Sequence, residues 1–171
     1  MTMDDIAAEA GISKRTIFRH FDGRYELIKC AFDSALEEYA ERIPEIGESE
    51  PAQEWLARSL RVLHAMNLRV GRLWWDLATQ IDPDRSDPVS RIYAPKRCMA
   101  IVESYAASAW TAYGGHGAPT AEVVDAFAAF TSVFYTHTML HDYGRMPQTT
   151  AESNAGCLDQ IIRSAVESPV A

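Results

Sequence analysis

Long apolar runs are missing from this chain. Its two long stretches without Asp, Glu, Lys or Arg are Ser104 to Ala121, 18 residues broken by Gly114, Gly115, Gly117 and Pro119, and Ala126 to His141, 16 residues carrying Thr131, Ser132, Thr136, His137 and Thr138. A membrane span needs about 20 mostly apolar residues, so no membrane partner is expected and the composition reads as cytoplasmic. Cysteine is scarce: Cys30, Cys98 and Cys157 are odd in number and far apart. They fit neither a disulfide framework nor a CxxC metal pair, and idle thiols suit a reducing compartment. No segment alternates like a half-buried strand, and no internal repeat is visible. A Gly-rich phosphate loop, a GxSxG elbow and a Cys–His pairing signal are all lacking. Neither catalysis nor a cofactor is expected.

Positive charge is also in short supply. The formal net charge is −8. From Gly11 to Arg24 the balance is instead +3, from Lys14, Arg15, Arg19 and Arg24 against Asp22, which leaves −11 on the rest. A broad basic surface for non-specific polyanion binding is excluded. What remains is one local patch that could meet polyphosphate.

What the chain does have is helical period almost everywhere, with 47% hydrophobic residues to build a core. Thr2 and Asp5 form a capping-box pattern for a helix over Met3 to Ala10. Gly11 supplies a turn, and Ser13 caps a second short helix from Lys14 to His20. Asp22 and Gly23 break it, and a long helix follows from Arg24 to Ile43. That helix has Leu27, Ile28, Ala31, Phe32, Ala35, Leu36 and Tyr39 on one stripe. Pro44, Gly47 and Pro51 mark a linker. A helix is expected over Ala52 to Ile81, with Gly71 as a possible break. Asp87 and Pro88 signal a helix start, and that helix reaches Tyr113 with a kink at Pro95. Thr120 opens a further helix ending near Gly144, and Thr149 with Glu152 signals the last. The fold class is all-α: an N-terminal helix-turn-helix over residues 1–43 and a helical bundle over 44–171.

Two short helices joined by a glycine turn are the helix-turn-helix pattern. Ile6, Ala7 and Ala10 give the first helix a slim apolar face, and Ile17 and Phe21 anchor the second. Lys14, Arg15, Thr16, Arg19 and His20 then point outward. Arg and Lys can bind guanine edges, and Thr can meet a phosphate or a thymine methyl.

The stretch "MDDIAAEAGISKRTIFRHFDGRYELI" resembles the DNA-binding segment of TetR-family transcriptional regulators. Ile6, Ala7, Ala10, Gly11, Ile12, Ser13, Lys14, Thr16, Ile17, Phe18, His20, Phe21, Arg24 and Leu27 carry the likeness. It implies a TetR-like fold and a double-stranded DNA operator as partner. It implies base or phosphate contacts for Lys14, Arg15, Thr16 and Arg19, backbone contacts for Phe18 and His20, and a phosphate clamp at Arg24. Phe18 stands where Tyr is common, and Gly23 where a capping Ser is frequent, which makes Asp22 the expected cap of the long helix. The family's DNA-binding unit has a helix upstream of this segment, so the natural protein is expected to be longer by about one helix and a turn. A shortened small-molecule-binding protein with little DNA binding is the alternative.

The resemblance also implies a small-molecule effector and a homodimer. Pocket candidates are Trp55, His64, Met66, Trp74, Trp75, Tyr93, Met99 and Trp110, large side chains with a few polar ends. Arg58, Arg61, Arg69 and Arg72 share one helix side, either to attract an anion or to pair with Glu37, Glu38 and Glu41. The last two helices, through Phe127, Phe130, Phe134, His137, His141, Leu158, Ile161 and Ile162, are the expected dimer interface, and repression of a pseudo-palindromic operator is the expected role. A metal-binding reading rests on His137 and His141 at i and i+4. It lacks the glutamate of HExxH, and Asp142 is expected to lie off that face, so no metal is expected.

Overall fold

The computed structural model describes residues 2–79 and 95–168, with side chains over 2–70 and 98–168. Every regular element among the described residues is helical. Helix α1 spans Met3–Ala10, α2 Lys14–His20 and α3 Arg24–Arg42. The bundle follows: α4 Ala52–Thr79, α5 Pro95–Ala112, α6 Ala121–Thr131, α7 Val133–His137, a π turn Thr138–Asp142, and α8 Pro147–Glu167.

Local chemistry sets the first three helices. The Thr2 hydroxyl accepts the Asp5 N–H at 3.2 Å, and the Asp5 carboxylate accepts the Thr2 N–H at 2.6 Å. That reciprocal pair satisfies two donors that the helix leaves orphaned. Gly11 ends α1 at φ 65°. No neighbouring atom would obstruct a Cβ there, so the left-handed backbone itself, not space, selects glycine. Ser13 then caps α2, accepting the Thr16 N–H at 3.0 Å. Asp22 does not cap α3 as expected. The cap residue is Gly23, without a side-chain bond, and the Glu26 carboxylate reaches back to the Asp22 N–H. Along α3, Ile28, Phe32, Leu36 and Tyr39 are buried. Ala31, expected on that stripe, is exposed, as is Ala10 of α1.

The bundle departs from the sequence reading in several places. Gly71 neither breaks nor ends α4, which runs unbroken past it. The expected start at Asp87 and Pro88 lies outside the described residues, and α5 is described from Pro95 onward. The single helix expected from Thr120 to Gly144 is split at Ser132, whose ψ of 136° leaves the helical region. Hydroxyl competition with the backbone accounts for it: Thr131 bonds back to the Phe127 carbonyl at 2.7 Å, and Ser132 accepts the Phe134 N–H at 3.2 Å. Helix α8 begins at Pro147 rather than after Thr149. Proline at the first helical position loses no intrahelical bond, and Glu152 accepts from Gln148 at 3.0 Å instead of closing a box with Thr149.

Helix α4 is the central member, packed chiefly on α8 and α7, while α3 leans on α4 and α5. The main core gathers Trp55, Leu56, Leu60, Leu63, Tyr105, Val123, Phe127, Leu158 and Ile162. Each such side chain contributes about 1.5–3 kcal/mol on burial. Tyr105 meets Trp55 edge-on at 5.3 Å and Phe127 at 4.8 Å between ring centroids. The Trp55 indole N–H donates to the Pro44 carbonyl at 2.6 Å, tying the linker to the bundle.

Candidate nucleic-acid interface

Helix α2 is held from one side and open on the other. Ile17 is 2% exposed and Ala7 of α1 is 8% exposed. Phe21 is half-buried. The expectation that Ile17 anchors the helix holds. Lys14, Arg15, Arg19, His20 and Arg24 are all exposed, and Thr16 is half-buried. Lys14 pairs with Asp4 of α1 at 2.8 Å, an exposed contact that water screens. Arg19 lies 3.4 Å from His20 Nε2. Among the described residues, no carboxylate lies within ion-pair range of Arg15, Arg19 or Arg24. The Thr16 hydroxyl is 2.8 Å from that of Ser13, so it serves the helix start before any ligand.

Phe18 is 47% exposed. It forms, with Ser13, Arg15, Thr16 and Arg19, the rim of a shallow surface depression. An exposed apolar ring on the same depression as two arginines is costly in water, but suits the sugar face of a nucleic-acid strand. Sequence reasoning passed over Tyr25. It is 41% exposed, next to Arg24 at the start of α3. An aromatic outside the apolar stripe of α3 was the signal for it.

Residues 1–30 match the family model of the bacterial regulatory proteins, tetR family. The match is carried by this short segment, which spans α1, α2 and the first turns of α3. Over those residues the chain is similar to the DNA-binding helix-turn-helix of these regulators. No curated protein and no solved structure matches the chain. No described helix is long and apolar enough to cross a membrane.

Beyond the tetR-family segment, the residues expected to line a pocket divide. Met99 lines a cavity of about 220 Å³ between α3, α4, α5 and the α6–α7 break, with Leu36, Tyr39, Leu63, Asn67 and Phe134. Among the described residues, no charged side chain lines it. Met66 and Trp110 are core residues instead, 5% and 6% exposed, and the Trp110 indole donates to the His116 carbonyl at 3.3 Å. Trp55 is likewise core, and edges a separate open groove with Ile43 and Ile46. The side chains of Trp74, Trp75 and Arg72, and Tyr93 altogether, lie outside the described residues. Leu36, Tyr39 and Asn67 escaped the sequence reading because their shared space exists only once α3 packs on α4.

His64 does not line the cavity. It is fully buried in a polar network behind it. The Thr136 hydroxyl donates to the Ser132 carbonyl at 3.0 Å, so its oxygen accepts from Asn67 Nδ2 at 2.8 Å and His64 Nδ1 at 2.9 Å. His64 Nε2 then accepts from Asn154 Nδ2 at 3.3 Å, and Tyr135 donates to Asn154 Oδ1 at 2.7 Å. Tyr39 donates to Asn67 Oδ1. The network assigns the neutral Nδ1–H tautomer. Burial pushes the His64 pKa down to about 4 and the Tyr39 phenol up.

Of the residues expected at a dimer face, Phe127, Leu158 and Ile162 are covered within one chain, each 0% exposed. They belong to the subunit core and leave no surface for a second copy. Phe130, Phe134, His137 and Ile161 are half-buried, and His141 is exposed. The described arginines of α4 are engaged outward: Arg58 with Glu50 at 2.6 Å, Arg61 with Glu152 at 4.0 Å and Arg69 with Glu38 at 3.1 Å. The Arg58 guanidinium holds the Glu50 carboxyl below its ordinary range.

Proposed function

We propose that the chain is a TetR-type repressor that binds a pseudo-palindromic operator as a homodimer and leaves it when a small molecule binds. The observation that carries this reading is the presentation of Arg15, Arg19 and Arg24 on an outward face whose helix is anchored by Ile17. On this reading, residues 1–43 read DNA and residues 44–171 bind the effector and pair the subunits. Lys14, Arg15, Thr16, Phe18, Arg19, His20 and Arg24 form the reading surface.

The effector occupies the cavity between α3, α4 and α5. At about 220 Å³ it lies below the ~300–1,000 Å³ of sites for drug-sized ligands. Its wall is apolar apart from groups such as Asn67, Thr131 and Ser132. A small, uncharged, mainly apolar compound fits it. An anion fits the described wall poorly, because no described cation lines it and Arg58, Arg61 and Arg69 already face carboxylates. Release requires that the compound favour the DNA-free arrangement, and α3 is common to the cavity and the reading head.

Selection of duplexes from a random pool by the full chain, followed by fluorescence anisotropy, tests this. A selected site with half-sites about one DNA turn apart, ~34 Å, is expected. Arg15→Ala and Arg19→Ala each weaken binding to it by about 10- to 100-fold, the 1–3 kcal/mol of a lost base contact. A pool that yields no preferred sequence, or variants that bind as tightly as the parent, would overturn the reading.

A further inference from the structure

We propose that the π turn after α7 is a binding site for a divalent transition-metal ion, held by His137, His141 and Asp142. In an α-helix, with 3.6 residues per turn, His141 sits over His137 and Asp142 points well away. The widened turn changes that. Tyr143 N–H bonds the Thr138 carbonyl five residues back at 3.0 Å, and a π turn takes about 4.4 residues per revolution. His141 and Asp142 therefore straddle the position above His137, and one turn of helix presents three ligands.

The distances bear this out. Asp142 Oδ1 lies 3.2 Å from His141 Nδ1 and 3.9 Å from His137 Nδ1. The ligand atoms of all three residues fall within 4.8 Å of one another. The two imidazole rings stack, centroids 4.6 Å apart. Tetrahedral bonds of about 2.0–2.2 Å set ligand atoms roughly 3.3–3.6 Å apart, so only the widest separation has to close, by about an ångström. His141 and Asp142 have 71% and 50% of their side chains exposed, so rotation suffices. Widened turns of this kind are uncommon and concentrate at functional sites.

Two imidazoles and one carboxylate select zinc, nickel, cobalt or copper over magnesium and calcium, which prefer all-oxygen shells. Three protein ligands leave at least one position for water. The site is separate from the DNA-reading surface and from the effector cavity, though α7 also supplies Val133 and Phe134 to the cavity wall.

Tag-free full chain, stripped with chelator, is titrated with Zn²⁺, Ni²⁺ and Mg²⁺ by calorimetry, and with Co²⁺ by visible absorption. One Zn²⁺ or Ni²⁺ per chain is expected, with Mg²⁺ far weaker and no thiolate charge-transfer band from Co²⁺. His141→Ala and Asp142→Asn each weaken binding by more than about tenfold, as loss of a ligand should, while circular dichroism stays unchanged. Absence of binding below millimolar metal sinks the proposal. So does binding that survives His141→Ala, which places the ion elsewhere, or binding that ignores Asp142→Asn, which removes the π turn's contribution.

Discussion

His64 shows what a single residue hides from its own sequence. A lone histidine among apolar neighbours reads as pocket lining. Its partners, Thr136 and Asn154, are 72 and 90 positions away, and no local pattern announces them. In place it is a neutral donor and acceptor, and both ring nitrogens are used. Truncating it leaves the Asn154 amide and the Thr136 oxygen short of a partner, and opens a cavity. His64→Ala should therefore lose about 2–4 kcal/mol, read from urea unfolding at pH 7. The pH dependence has a definite sign. The folded pKa is about 4, against about 6.5 unfolded. Between those values the unfolded chain binds the proton and the folded one does not. Stability is thus complete above pH 6.5 and falls as pH drops toward 4, by up to about 3 kcal/mol. A His64→Phe variant should lack that share of the decline, seen as a smaller gap between unfolding midpoints at pH 7 and pH 5.

Most local caps were legible, though the Asp22 cap and the Thr149–Glu152 box did not form; breaks governed by packing were not legible. The Thr2–Asp5 box, the Gly11 turn and the Ser13 cap all form as their spacing suggested, because every partner lies within four residues. Gly11→Ala should cost about 1 kcal/mol for a left-handed alanine, and should loosen the joint between α1 and α2. Denaturation alone would show the cost, while a selected DNA site would lose affinity beyond the stability change. The α6–α7 region failed the local reading. Its uncharged run fits one helix, yet Ser132 opens a break because Thr136 and Asn67 stabilise the chain on the far side of it. The π turn followed the same rule. Asp142 was set aside on α-helical spacing, and a change of helical period brought it beside His137 and His141. Similarly, Phe127, Leu158 and Ile162 carry an apolar stripe, and a stripe alone does not say whether its partner is the same chain or another.

Across the whole molecule, charge limits how DNA can be held. The net charge is −8, and the cations near α2 are few. If Lys14, Arg15, Arg19 and Arg24 of two copies each displace a counterion, log K against log salt can fall no more steeply than about −7. A steeper slope, measured by anisotropy between 50 and 200 mM salt, would require basic surface that the described residues do not offer. Non-specific affinity should be low for the same reason. The helical class and the DNA-reading segment were legible because a turn glycine, an inward isoleucine and outward cations sit within 25 positions. The cavity beside Tyr39 and Asn67 was not, since α3, α4 and α5 contribute to it jointly.

The Tyr39–Asn67 bond has a mechanical consequence. It pins α3 near its C-terminal end, and Arg24 stands 15 residues away at the other, a rigid arm of about 22 Å. A swing of about 10° about that pivot sweeps the arm's tip roughly 4 Å, more than the 3.4 Å rise of one base step. On the proposed function, a side-chain rearrangement around that one phenol would carry the reading head out of register with its half-site.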